Sequence, residues 1–401
     1  MSGDGALPGL AREERDSRSM LLGFLALNAA AGLSVGIAHV ILSLYAIELR
    51  ADAAQLGLIA GAQSLGLLLM SLPAGVLVDQ YGPLLLFRIG TLCSGTLYLL
   101  LPWIDSPLGL CLVMLIISCF MPLRIVSLSA VFMQQVGRVG VGIAGWFRAT
   151  HMVGMLLLGP LLAGLMLERV GFSGSYLVIG SSFFLLVLCA SRVLNQYRPS
   201  AEHRRALSLA ELRAQLSLLG SHAQLRQACI REFCSQAVGQ FFGFFIVVIA
   251  ISTFAMDAPA AAALISLHGA SYVLVLLCLG KIALRLGNQV FLRGGCLLVC
   301  LSLLALGQAD SLPALWLGSI GLGVGLGMVQ IVNITWLAQI GAQLGQGRIA
   351  GLTLFIGPAG GLSGNLLGGV LGGYFGLQAV FLLLSPVFMV FLFSRINELN
   401  R

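Results

Sequence analysis

The stretch Gly75-Val76-Leu77-Val78-Asp79-Gln80-Tyr81-Gly82 returns later in the chain as Gly280-Lys281-Ile282-Ala283-Leu284-Arg285-Leu286-Gly287. The offset, 280 minus 75, is 205 residues. Each copy is a short polar interruption between long apolar runs. Aligned on itself at this offset, the chain needs no gap from about Asn28 to Asn195. Glycine matches alone say little in a chain with 51 glycines, but charges are scarce and their matches carry weight. Asp52 falls on Asp257, Asp105-Ser106 on Asp310-Ser311, and Arg88 on Arg293. Gly164 and Gly171 fall on Gly369 and Gly376. The chain therefore reads as one unit duplicated.

Composition sets the solvent. The hydrophobic share is 58% and the charged share 9%, against about a quarter charged in a soluble domain. So few charges cannot cover a water-soluble surface. Twelve apolar runs fall at about 21–47, 54–78, 84–103, 108–134, 143–167, 174–193, 229–255, 259–283, 289–308, 313–339, 348–371 and 377–394. Each approaches the ~20 residues that carry a helix across a bilayer. The runs are continuous rather than alternating, which excludes a membrane β-barrel. The first, Leu21 to Ile47, exceeds a signal-peptide core and lacks a small-residue cleavage site, so it is expected to be retained as a span.

The basic residues orient the chain. With the amino terminus inside, Arg12, Arg15, Arg18, Arg88, Arg138, Arg148, Arg192, Arg198, Arg204, Arg205, Arg213, Arg226, Arg231, Lys281, Arg285, Arg293, Arg348, Arg395 and Arg401 all lie on the cytoplasmic side. Arg50 and Arg169 alone are external, and Arg124 sits within a span. This asymmetry accounts for the net charge of +7 without a nucleic-acid partner. The expected division is a cytoplasmic tail (1–20), a first bundle (21–194), a cytoplasmic loop (195–228), a second bundle (229–395) and a tail (396–401). Within the loop, Ser208-Leu209-Ala210-Glu211 has the form of a capping box and could open a surface helix. Six spans per half give both halves the same orientation, related by an axis along the membrane normal with a solute path between them. The nine cysteines form no CxxC pair and read as small packing residues.

With spans, loop and repeat in hand, the chain resembles the major facilitator superfamily over nearly its whole length. The family's loop after the second helix reads Gly-x-x-x-Asp-Arg-x-Gly-Arg-Arg, and Gly75, Asp79 and Gly82 match it. Gln80, Pro83 and Leu84 replace the usual basic residues, with Arg88 a turn further on. In the second copy Gly280, Arg285 and Gly287 match, Leu284 replaces the acid, and Arg293 parallels Arg88. The resemblance implies an all-α fold of twelve helices in two six-helix bundles. It also implies a secondary active transporter, not an enzyme, with Asp79 locking an inner gate against the start of the eleventh helix near Arg348. There, free backbone N–H groups and a cation both favour a carboxylate.

The fifth run holds Gly154-Met155-Leu156-Leu157-Leu158-Gly159-Pro160-Leu161-Leu162-Ala163-Gly164. It looks like the glycine-proline motif of family antiporters, which are mostly exporters, although Ala163 stands where a second Gly is common. Small residues let helices approach, and Pro160 can bend the span. Polar groups at membrane depth are costly and mark function. The candidates for a substrate or proton pathway are Arg124, His39, His151, His268, Gln63, Gln240, Gln330 and Asn333. Asn28, Gln236 and Asn365 are further neutral candidates. Glu48 and Glu232 lie near predicted span ends and read as interfacial, which leaves no acid at mid-depth. A pore with Arg124 and histidines favours an anionic, zwitterionic or neutral solute.

No phosphate loop, hydrolase triad or metal cluster stands out. Gly321-Leu322-Gly323-Val324-Gly325-Leu326-Gly327 lies within the tenth run and reads as helix packing. The expectation is a proton-coupled exporter of a small organic solute, acting as a monomer without cofactor, metal, nucleotide or nucleic acid. It is expected in a plasma membrane, the inner membrane of a bacterium, with both termini cytoplasmic. The alternatives are an importer or uniporter of a small organic anion, and a transporter-like sensor or assembly subunit without flux.

Overall fold

The computed structural model describes residues 7–139, 149–194 and 217–393. The predicted surface helix at Ser208, Arg148 and the chain ends lie outside these residues, as does the side chain of Arg348. Among the described residues ten helices are long and apolar enough to cross a membrane. One of them, Ala149–Ala190, is 42 residues long, or about 63 Å of helix, twice the hydrocarbon thickness. It is broken at Gly171 (φ 66°, ψ −172°) and makes two passes. The shorter apolar helix Ala379–Phe393 completes the twelve.

In order, the spans are α1 (Leu7–Glu48), α2 (Ala53–Tyr81), α3 (Pro83–Leu100) and α4 (Pro107–Val139). Helices α5 (149–170) and α6 (172–194) follow, joined at Gly171. The second half is α7 (Ala223–Ser252), α8 (Ala258–Cys278), α9 (Asn288–Gly307), α10 (Leu312–Leu344), α11 (Gln346–Phe375) and α12 (Ala379–Phe393). Several boundaries differ from the expected limits, two of them by six residues or more. Helix α1 begins at Leu7, so the polar segment read as a tail continues the first span as helix, and α7 begins at Ala223 rather than 229.

The duplication has local structural expression. Asp52 caps α2 by accepting from the Gln55 N–H at 2.8 Å, and Gln55 returns a bond to the Asp52 N–H. Its counterpart Asp257 caps α8 through the Ala260 N–H, also at 2.8 Å. Each satisfies an amide that a helix start leaves open. Gly82 and Gly287 take nearly the same backbone conformation, φ 84° with ψ 149° and 144°. Only glycine adopts that region without strain, so both copies of the motif keep it at the turn.

The core shows how the halves meet. One apolar cluster joins both halves, running from Ile41 and Phe183 to Phe245 and Phe381, and continues in the second half to Ala283, Phe291 and Trp336. Toward the Asp79 end the cores separate. Phe24, Phe87, Phe132 and Leu186 pack within the first half, and Leu225, Leu337, Ile349 and Ile356 within the second. Outward-facing Leu112, Leu188, Leu274 and Leu317 remain exposed, as a lipid-facing surface requires.

Candidate functional site

Close backbone contact seals the Asp52 end. A Cβ added at Gly369 of α11 would lie 2.5 Å from the Cα of Gly57 on α2, and Asn365 Nδ2 donates to the Ala60 carbonyl at 3.1 Å. Across the other seam, a Cβ at Gly164 of α5 would lie 2.6 Å from the Cα of Pro259 on α8. The same helix packs on α1 within its own half. A Cβ at Gly159 would fall 2.7 Å from the Gly36 Cα, and one at Gly154 2.5 Å from the Ala29 carbonyl oxygen. The glycine-proline run thus packs α5 against helices of both halves. Its π turn, Val153–Leu158, sits just before Pro160, which has no N–H to continue the α ladder.

Below this seal a cavity of about 220 Å³ opens between the halves. His39, His151 and Pro160 line it from the first half, and Gln236, Gln240, His268, Tyr272 and Gln330 from the second. Met152, Met155, Leu156, Ile265 and Leu326 supply apolar walls. Among the described residues the lining contains no Asp, Glu, Lys or Arg. A side chamber of about 60 Å³ adjoins it, sharing His39, Met155 and Gln240 and adding Gln63 and Tyr98. A wider notch of about 470 Å³ at Gly307, Asp310 and Gln378 lies at the loop end of the second half, away from the central path.

The three histidines are held differently. His39 Nδ1–H donates to Gln63 Oε1 at 3.1 Å, and its ring meets Phe244 of the other half edge-on at 6.3 Å. His151 Nδ1–H donates to the Asn28 carbonyl at 3.3 Å. His268 lies 4.5 Å from the Phe242 ring, and its Nδ1 has no hydrogen-bond partner among the described residues.

Several sequence candidates stand elsewhere. Arg124 was expected on the solute path but lines neither chamber. It is 4% exposed, with its guanidinium carbon 4.2 Å from the Phe183 ring centroid, inside the first half. Gly90 of α3 leaves room for its stem, since a Cβ there would come within 3.2 Å of Arg124 Cγ. Asn333 is buried and donates to Glu232 rather than facing the cavity.

Asp79, expected to lock an inner gate, is exposed and makes no hydrogen bond or ion pair to another described residue; α11 starts at Gln346. Gly75 and Gly280 have nothing within 4 Å of an added Cβ. Arg285 and Arg293 are exposed and Arg88 is half-buried.

Sequence reasoning missed the burial of Arg231 and Glu232. The apolar pattern puts both at a span end, because the run begins six residues after the start of α7. The tract 223–228 contains Gln224, Arg226 and Gln227, which hid the earlier helix start.

A crevice lined by neutral polar groups, between two bundles closed at one end, defines a membrane carrier of small solutes. The Major Facilitator Superfamily model matches residues 24–339, and the chain belongs to that family of transporters, not enzymes. No curated protein matches it significantly. Its fold is similar to that of a point mutant of the nucleoside transporter NupG (TM-score 0.78, 16% identity, 93% of this chain and 98% of that one). It is also similar to the human organic anion transporter MFSD10 (TM-score 0.64, 18% identity, 95% and 99%). A bacterial homolog of the human lysosomal transporter Spinster, inward-facing and occupied, matches at TM-score 0.73 and 12% identity over 93% and 96%. At these identities the likeness is one of fold.

Proposed function

We propose that this transporter exports a small, neutral, hydrogen-bonding organic solute in exchange for protons, by alternating access. The observation that carries the reading is the lining of the central cavity. Three of the chain's five histidines meet there, with glutamines, a tyrosine and apolar walls, and with no charged side chain among the described residues. An imidazole can take up a proton and, once it has, both its ring nitrogens donate. A proton taken up in this low-dielectric space adds a charge that a neutral solute does not compensate, so proton and solute compete. Competition at one site is the requirement for exchange. Arg124 lies outside both chambers, which supports a neutral solute over an organic anion.

The basic-residue asymmetry supports a cytoplasmic Asp79 end. On that orientation the sealed Asp52 end is external and the structure is inward-facing, ready to load solute from inside. Asp79 then acts in the opposite state, against the start of α11. Export is supported by the Gly154–Gly164 run. Proteoliposomes with an acidic lumen and a panel of neutral heteroaromatic solutes test the reading. Solute accumulation with alkalinisation of the lumen is expected. Solute and protons moving in the same direction, or solute flux indifferent to the gradient, would overturn exchange.

A further inference from the structure

The notch of about 470 Å³ at the Asp52 end of the second half stands apart from the crevice. Three helices end at it, α7 at Ser252, α9 at Gly307 and α11 at Phe375. The last turn of a helix leaves carbonyl oxygens over and carries the negative end of the helix dipole. Asp310 and Gln378 line the same space, with Phe375 and Leu377 as its apolar wall. The donors of two lining groups are already engaged. Ser252 Oγ donates to the Val248 carbonyl at 2.7 Å, so its hydroxyl offers a ligand only lone pairs. Gln378 Nε2 donates to the Leu306 and Ala309 carbonyls at 3.1 and 2.8 Å, which uses both its hydrogens and leaves Oε1 to accept. Thr253 and Gln308 complete the polar lining and can donate or accept as a ligand requires. Asp310 is exposed and makes no hydrogen bond or ion pair to another described residue. Ser311, not Asp310, occupies the N-cap of α10.

The duplication sets this acid apart. At the matching end of the first half stand Glu48, Arg50, Asp105, Glu168 and Arg169. At the 205-residue offset the second half has Thr253, Ala255, Asp310, Gly373 and Tyr374. The backbone is kept, with φ 54° at Arg50 and 51° at Ala255. Of these five charges only Asp310 remains, and both cations are gone. The other acid at this end, Asp257, is engaged in capping α8. The filling has changed as well. In the first half Tyr45 packs on Phe172, ring centroids 5.2 Å apart, and its hydroxyl donates to the Ile104 carbonyl at 3.0 Å. Ala250, Leu377 and Ala309 take those three places in the second half. There the Gln378 amide satisfies the Ala309 carbonyl, and no ring stands where Tyr45 stands in the first half.

We propose that the notch binds a small organic monocation bearing N–H donors, an alkyl- or arylammonium, outside the solute path. Asp310 supplies the counter-charge. Gln378 Oε1, Ser252 Oγ and the helix ends accept the N–H bonds, which are stronger for a charged donor. Phe375 and Leu377 cover the carbon skeleton. A bare metal ion does not suit the site, because hard cations gather about six or more oxygens around them and the notch offers one carboxylate in a far larger space. On the orientation proposed above, the bound ammonium sits on the outer face and ties together the outer ends of α7, α9 and α11.

The test uses para-fluorobenzylammonium as the probe, followed by fluorine NMR on the purified full-length chain in phosphatidylcholine nanodiscs. The probe signal should broaden saturably, beyond the broadening given by empty nanodiscs. Asp310→Asn should weaken binding about three- to fivefold, the upper range for an accessible ion pair. Asp105→Asn, the same change at the matching turn of the first half, should leave binding unchanged, as should Gln240→Ala in the central cavity. Both aspartates are exposed, so neither change disturbs the packing. The trimethylammonium analogue of the probe keeps the charge without N–H donors and should bind about threefold more weakly or worse. Absence of saturable broadening, or equal affinity of the parent and Asp310→Asn, overturns the site. Binding lost in Gln240→Ala and kept in Asp310→Asn moves the probe to the solute path and overturns it too. Equal affinity for the two probes overturns the requirement for N–H donors.

Discussion

Gly369→Ala should shift the carrier from one conformation toward the other. In the structure a Cβ at this position falls 2.5 Å from the Gly57 Cα and 2.7 Å from the Ala53 carbonyl oxygen. Carbon atoms rest about 3.5–4.0 Å apart, so α2 and α11 must part by about 1 Å. Both contacts are backbone, and no side chain can swing aside. Overpacking of this kind costs about 1–3 kcal/mol, which corresponds to about a 5- to 150-fold change in an equilibrium. The cost applies only where the two helices touch, which is the state closed at the Asp52 end. Spin labels at Asp105 and Asp310, equivalent exposed turns of the two halves, read that end in a cysteine-free background. Labels at Tyr81 and Leu286, also exposed, read the other. The variant should gain a longer Asp105–Asp310 distance and a shorter Tyr81–Leu286 distance. Gly373→Ala is the control, because its Cβ would meet only the Ala53 Cβ at 3.9 Å. It shares any gain in helix propensity but not the clash. If Gly369→Ala and Gly373→Ala give the same distributions in folded protein, the seam is not the gate.

Asp79→Asn should act in the opposite direction. Asp79 is exposed in this conformation, so the change costs nothing here and weakens only the alternative state. The same labels should then show a smaller long-distance Asp105–Asp310 population and slower solute flux, and unchanged populations would count against the gate. Gly82→Ala and Gly287→Ala should each lower the thermal midpoint, because φ of 84° costs a side chain about 1–3 kcal/mol. Equal stability of either variant and the parent would contradict the turn geometry. Arg124→Met should lower stability by up to about 2 kcal/mol through loss of its desolvated contact with Phe183, while leaving KM for a transported solute unchanged. A rise in KM of about tenfold, equal to about 1.4 kcal/mol of binding, would return Arg124 to the solute path.

The fold was legible because it follows from one-dimensional properties. Apolar run length sets the number of membrane crossings, and a 205-residue repeat of rare charges states that the halves are copies. The repeated positions kept their physical jobs: Asp52 and Asp257 cap helices, and Gly82 and Gly287 bend the chain. Such tasks are local, and local geometry is written in adjacent residues.

The site was legible only in part. Residue type alone nominated His39, His151, His268, Gln240 and Gln330, and one cavity gathers all five. Which way a side chain points was not legible, because a helix apolar on every face carries no periodic signal to orient it. Arg124 therefore turned out to face Phe183, and Asn333 to face Glu232, through the rotation of α4 and α10 within their bundles. The depth of Glu232 also escaped, since a helix start shifted by six residues converts an interfacial acid into a buried one. Sequence determined how many times the chain crosses the membrane, and that it does so twice by the same plan. Tertiary packing alone decided which polar groups meet in the crevice and which end is shut, because those depend on contacts between residues far apart in the chain.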